Sequence, residues 1–236
     1  MNRDRSWFGL AAVIGQGVPL AALLALGAAG YVYFIHSPTP AGRAAPQIPK
    51  EPISFEGDVL GATSAPLGMM VFSDFQCPYC GTFARETLPS LEQEFVSTGR
   101  VAIVFRQFPL SIHELAHPAA ELGACASAVG SFWNLHDLLF QRQKDLSREL
   151  LLQLGGPSGV PGLDGCDREA ASASVGRDIA IGVGLGVAST PSVFIGTRAG
   201  GRLNVLHVIV GARPKKDFAA AIERASAVAI RSRKEP

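Results

Sequence analysis

From Trp7 to Ile35 the chain carries no Asp, Glu, Lys or Arg, and Gln16 is the only strongly polar side chain. A soluble helix keeps one polar face, and this run has none, so it reads as a membrane span. It is longer than the about 20 residues that crossing requires, and it can tilt or bend at Pro19. The small residues Ala25, Gly27 and Ala28 leave a cleaved signal peptide as the alternative to an uncleaved anchor. The pattern then breaks: Pro38, Pro40, Pro46, Pro49 and Pro52 prevent a continuous helix, and the stretch reads as an extended tether. Periodic structure begins near Phe55. The apolar run Leu67 to Phe72 predicts a buried strand. Leu88, Leu91 and Phe95 recur at helical spacing, Gly99 closes that helix, and Val101 to Phe105 predicts a second strand. From about His113 to Gly184 alanine-rich and leucine-rich pieces predict a helical block, broken near Gly130 and across Gly155 to Gly162. Ser192 to Ile195 and Leu203 to Val210 read as strands joined by a glycine-containing turn, and Phe218 to Ala229 as a closing amphipathic helix. Strands alternating with helices predict an α/β layer fold.

Once the apolar segment is set aside, about 180 residues remain, the usual size of one domain. The formal net charge is +1, with 21 Lys and Arg against 20 Asp and Glu mixed along the chain. No broad basic field exists to gather nucleic acid, and no nucleic-acid partner is expected. Arg231, Arg233 and Lys234 read as a solvated basic tail. Arg3 and Arg5 before the span face Arg43 and Lys50 after it, so the charge rule alone does not set which side the domain occupies.

The candidate chemistry lies in Cys77-Pro78-Tyr79-Cys80, where a predicted strand ends and a helix starts. Unpaired N–H groups and the partial positive charge of a helix N-terminus stabilise a thiolate on Cys77. Pro78 suits the first helical turn, where its missing N–H would have had no partner. Cys80 lies one turn along and can resolve a bond formed at Cys77. Two other readings of the pair are half of a zinc site and a purely structural disulfide. Cys125 and Cys166 are single, unlike the paired spacing of a zinc ribbon, and a strand-to-helix position with an internal proline favours redox exchange. Thr190-Pro191 precedes a predicted strand. X-Pro bonds can be cis at modest cost, although bare statistics favour trans.

In combination, Phe72 to Cys80, Phe108-Pro109-Leu110, Phe132 to Phe140 and Ser189-Thr190-Pro191-Ser192-Val193-Phe194 resemble the DsbA-like thiol:disulfide oxidoreductases of the thioredoxin superfamily. Cys-Pro-Tyr-Cys alone is also similar to glutaredoxins. The 111 positions from Cys80 to Pro191 exceed what a minimal glutaredoxin or thioredoxin core needs. The resemblance implies a thioredoxin-like α/β fold with an inserted helical domain at about 112–185, and the apolar run predicts one transmembrane helix before it. The expected layout is a tail at 1–6, a signal-anchor at 7–35, a linker at 36–54, the catalytic fold at 55–230 and a charged tail at 231–236. It further implies that Pro191 is a cis-proline facing the cysteines, and that Pro78, Tyr79, Thr190 and Pro191 bind substrate or tune the redox pair. Pro-Tyr stands where the strongest oxidants of the family carry Pro-His, so Tyr79 supplies no imidazole to the thiolate.

The resemblance implies catalysis of disulfide formation or exchange in extracytoplasmic proteins, through a mixed disulfide at Cys77. The partners are unfolded or partly folded thiol-containing clients and a membrane redox protein that resets the pair. A single-pass monomer with its catalytic domain outside the cytoplasm and no cofactor is expected. A reductase or isomerase, or a noncatalytic client-binding module, is the alternative. Cys125 and Cys166 are expected to form a structural disulfide, two buried free thiols being the other possibility. Asp74 is a candidate proton acceptor for Cys80, or a turn or capping carboxylate. His113, His117 and His136 show no metal-binding spacing, and no metal is expected.

Overall fold

The computed structural model describes residues 46–156, 159–160 and 163–232. The tail at 1–6, the signal-anchor at 7–35, most of the tether and residues 233–236 lie outside the described residues. The chain divides into Met1–Gly42 and Arg43–Pro236, and only the second unit contains described residues. Among these, no helix is long and apolar enough to cross a membrane.

Every residue of Leu67–Ser73 is buried. A strand that is apolar on both faces needs cover on both, and this one lies inside a six-stranded sheet. The strands are β1 (Ile53–Ser54), β2 (Val59–Leu60), β3 (Leu67–Ser73), β4 (Val101–Gln107), β5 (Ser192–Ala199) and β6 (Arg202–Val210), in the order β1-β6-β5-β3-β4-β2. Strands β3 and β4 are parallel and the other pairs are antiparallel. Parallel neighbours require a crossover, supplied by the helical run after the cysteines. It comprises α1 (Pro78–Thr82), a π-helical turn (Phe83–Thr87), α2 (Leu88–Leu91) and a second π-helical turn (Glu92–Val96). Pro89 has no N–H for the Arg85 carbonyl, and beside it Leu88 N–H reaches back to Phe83 O.

The helical block contains α3 (Ala116–Ala128), α4 (Phe132–Gln141), a 3-10 turn (Gln143–Asp145), α5 (Arg148–Leu154) and α6 (Arg168–Gly184), and α7 (Lys215–Ser232) closes the fold. Ser147 Oγ caps α5 by accepting from Leu150 N–H, and Asp167 caps α6 by accepting from Glu169 and Ala170 N–H. Alternation along β3 separates two cores. Leu67, Met69 and Val71 pack with Phe83, Leu91, Phe95 and α7 residues Phe218 and Ile222. Met70 and Phe72 pack on the other face with Phe108, Val187 and Phe194. A Cβ on Gly182 would lie 2.5 Å from the Phe108 ring, so glycine there lets α6 approach this layer. A third core fills the helical block around Phe75, Phe105, Phe132, Leu135 and Phe140, and takes in both Cys77 and Cys80.

All four expected strands form, each but the last extended at its C-terminal end, and the last begins one residue earlier. The closing helix is longer than expected at both ends and takes in Arg231 and Ser232 of the expected tail. The two-residue strands β1 and β2 carry too little periodicity to predict. Ile53 and Ser54, expected in the linker, pair with Leu203 and Arg202, so the sheet begins before Phe55.

Candidate functional site

Strand β3 delivers the chain into a tight turn that aims the cysteines. Asp74 Oδ1 accepts from Gln76 N–H at 2.8 Å, and Asp74 O accepts from Cys77 N–H at 3.1 Å. Cys77 then adopts an extended conformation as the N-cap of α1, with Pro78 inside the first turn as expected. The backbone N–H groups of Cys80 and Tyr79 face the Cys77 sulfur.

The two thiols are made unequal by their surroundings. Cys77 is lowered from 9.0 to about 5, chiefly by the Cys80 thiol donating to it, with further help from Thr190 and the helix N–H groups against the opposing effect of burial. Cys80 is wholly buried and pushed well above 9.0, first by desolvation and then by its contacts with Cys77. Near neutral pH Cys77 is therefore held as the thiolate, and Cys80 holds its proton. Tyr79 is 68% exposed and projects from the helix start.

The Thr190–Pro191 bond is cis, as the resemblance implied. Ser192 Oγ donates to Ser189 O at 2.7 Å and Gly211 N–H donates to Pro191 O at 2.8 Å, pinning this loop to the ends of β5 and β6. It brings the Thr190 carbonyl to the Cys77 thiol at 3.4 Å across 113 positions of sequence. The two halves of the predicted site thus meet.

Asp74 is placed differently from its expected role as proton acceptor. Its backbone N–H donates to Cys80 Sγ at 3.4 Å, but its carboxylate turns elsewhere. Oδ2 accepts from Leu110 N–H at 3.0 Å and lies 2.6 Å from His113 Nδ1. The carboxylate therefore braces the turn against the loop before α3, which is the turn alternative. Cys125 and Cys166 are joined in a disulfide. His117 sits by Glu121, and His136 is buried with Nδ1 2.8 Å from Asp137 Oδ1. Among the described residues, no cluster of three or more His, Cys, Asp or Glu is placed to hold a metal ion.

Gln143 is the site residue that sequence reasoning missed. From the turn after α4 its amide donates to Phe75 O at 2.8 Å and to Cys77 O at 2.9 Å. Arg85 holds the amide oxygen at 3.3 Å while donating to Phe140 O at 2.7 Å. A Cβ on Gly81 would lie 2.0 Å from Gln143 Oε1, so glycine after Cys80 makes room for the clasp. A single glutamine 66 positions from Cys77 leaves no local pattern to find.

Residues 55–205 match the family model described as thioredoxin. A 96-residue stretch is 36% identical to "Na(+)/H(+) antiporter NhaA 3" of Salinispora tropica, covering 40% of this chain and 14% of that protein. A 106-residue stretch is 33% identical to "Probable disulfide bond formation protein D" of Bacillus anthracis, covering 40% of this chain and 46% of that protein. The chain thus spans less than half the length of either relative. The crystal structure of Wolbachia pipientis alpha-DsbA1 superposes with a TM-score of 0.62 at 20% identity, over 75% of this chain and 94% of that one. At that identity the likeness is one of fold.

Proposed function

This chain belongs to the thioredoxin family as a DsbA-like member, and from that premise we propose that it is a membrane-anchored thiol:disulfide oxidoreductase acting on extracytoplasmic proteins. The observation that carries the reading is the asymmetry of the pair: a Cys77 thiolate formed at about 5 beside a buried, protonated Cys80, both under the cis-Pro191 loop. In disulfide donation a client thiolate attacks Cys77 of the oxidised pair, Cys80 leaves, and a second client thiol displaces Cys77. The reductive direction reverses these steps. The Cys77 value lies between those of thioredoxin, about 7, and of the strong oxidant DsbA, about 3.5. Stabilising the thiolate stabilises the reduced enzyme, which favours giving a disulfide away. Pro-Tyr between the cysteines supports a milder oxidant.

The apolar run 7–35 supplies the anchor, and the Cys125–Cys166 disulfide suits an oxidising compartment. The clients are unfolded thiol-containing proteins, and a membrane redox partner resets the pair. The test equilibrates the full chain, in detergent, with graded glutathione buffers and reads Cys77 and Cys80 by alkylation and mass spectrometry. The expected potential lies between about −120 and −270 mV, nearer the oxidising end. A value near −270 mV would assign a reductase, and the absence of any two-electron transition would leave a noncatalytic binding module. A reporter fused to the C-terminus tests the side of the membrane.

A further inference from the structure

Turnover requires a proton to enter and leave Cys80, which has no exposed surface. The Asp74 carboxylate is engaged by Leu110, Gln76 and His113, and no hydrogen bond joins it to Cys80 among the described residues. Behind the redox helix lies a cavity of about 10 Å³ with mostly apolar walls, Val71, Ile103 and Phe105 among them, into which Ser73 of β3 and Trp133 and His136 of α4 bring the polar groups. That is room for about one water, which needs two or more polar partners.

The polar partners are present. Ser73 lines the cavity, and its hydroxyl lies close enough to Cys80 to favour the thiolate there. Trp133 Nε1 is buried without a hydrogen-bond partner among the described residues, a donor that a water would satisfy. His136 Nδ1 faces Asp137 Oδ1 at 2.8 Å, which places the neutral ring's proton on Nδ1 and leaves Nε2 as acceptor. The Asp137 side chain is 66% exposed and opens the chain of groups to solvent. Five aromatic rings surround the imidazole at centroid distances of 4.9–6.2 Å and fix its orientation.

We propose that Ser73, one water in this cavity and His136 form a proton relay between the buried Cys80 thiol and solvent at Asp137; the proposal rests on the oxidoreductase reading above. To resolve a mixed disulfide, the Cys80 proton passes to Ser73 Oγ as Ser73 gives its own to the water and the water gives one to His136 Nε2. The Asp137 carboxylate stabilises the imidazolium until it loses a proton to solvent. The Cys80 thiolate then attacks Cys77 Sγ: the Cys77–client S–S bond breaks, the client sulfur leaves with the electron pair, and the Cys77–Cys80 bond forms. In disulfide donation Cys80 departs as thiolate and the same groups return its proton.

The test mixes the reduced full chain with oxidised glutathione, quenches with acid and follows glutathionylated Cys77 by mass spectrometry. Ser73→Ala and His136→Phe are each expected to slow its decay at least tenfold and leave its formation unchanged. Ser73→Thr, which keeps the hydroxyl, restores the decay. The pH profile of the decay should also change shape between the native chain and His136→Phe. The titratable groups facing His136 are Asp137 on its own helix, Glu92 of the redox helical run, which acts on Asp137, and Cys80 through Ser73. The rings around it, Phe75, Phe105, Phe132, Trp133 and Phe140, carry no titratable group. A merely structural loss would slow decay by one factor at every pH. If His136→Phe does not fold, the Ser73→Ala and Ser73→Thr pair decides. Unchanged decay in Ser73→Ala, or a pH profile of the same shape in His136→Phe, overturns the relay. If glutathionylated Cys77 never forms in the native chain, the oxidoreductase reading fails and the relay with it.

Discussion

The two cysteine pairs sit in contrasting surroundings. Cys77 and Cys80 flank the first turn of a helix, where backbone N–H groups lack intrahelical partners, and in the structure they are free thiols. Cys125 lies well inside α3, where the helix uses its own N–H groups, and bonds to Cys166 just before α6. That second pair belongs to the apolar core of the helical block, which offers no charge to a thiolate. Spacing widens the contrast. Two intervening residues close a loop that constrains the unfolded chain little, whereas a separation of 41 constrains it strongly. Local electrostatics makes one pair reactive, and loop length makes the other a staple.

The largest effect expected from breaking this contrast is at Cys77. Cys77→Ser should abolish disulfide exchange with a model client, a loss of about 10³-fold or more, because no other described thiol is both activated and able to reach one. Replacing Cys125 and Cys166 together by serine should leave the Cys77–Cys80 potential in place and cost about 4 kcal/mol in urea unfolding. A changed potential in that double variant would mean that the staple also tunes the active pair.

The redox pair was more legible in the sequence than its surroundings. Cys77, Pro78 and Cys80 announce themselves because a helix start, an N1 proline and one-turn spacing are local features. Pro191 was reached through the resemblance, since a lone X-Pro bond carries no such signal. The strands near Leu67 and Val101 were legible because buried parallel strands are continuous apolar runs. By contrast, the carboxylate of Asp74 and the amide of Gln143 are oriented by partners 36 to 68 positions away. Their roles belong to tertiary structure, and local pattern does not encode them.

The pH dependence of stability separates the pairs next. Between about 5 and 9, native reduced protein holds Cys77 as thiolate while the unfolded chain keeps that thiol protonated. The unfolded state then binds the extra proton, so the reduced form gains stability as pH rises and loses it as pH falls through about 5. Above about 9 the raised Cys80 reverses the slope, since the unfolded chain releases a proton that the native state retains. Oxidised protein has no thiol to titrate and should lack both features. Urea unfolding of the two forms across pH 4 to 10 checks this, and parallel profiles would mean that Cys77 is not activated by the fold.

The smallest expected effect asks how the helical block holds the redox turn. Gln143→Leu removes both amide donors at similar volume. The Cys77 carbonyl still accepts from Gly81 N–H at 3.1 Å, but the bond from Gln143 to Phe75 O is lost. A carbonyl stripped of its partner in a partly buried site costs about 1–2 kcal/mol, and urea unfolding should register that loss. The functional consequence follows from geometry. With the turn less firmly held, the N–H groups of Tyr79 and Cys80 spend less time aimed at the Cys77 sulfur, so its pKa should rise and the potential become more reducing. Thiolate absorbance during a pH titration measures the first, and glutathione buffers the second. Arg85→Lys should produce the same shifts more weakly, because a lysine can replace one hydrogen bond of the guanidinium but not its fork. If Gln143→Leu lowers stability without moving the Cys77 titration, the clasp is structural, and activation of the pair comes from α1 and the Thr190 loop alone.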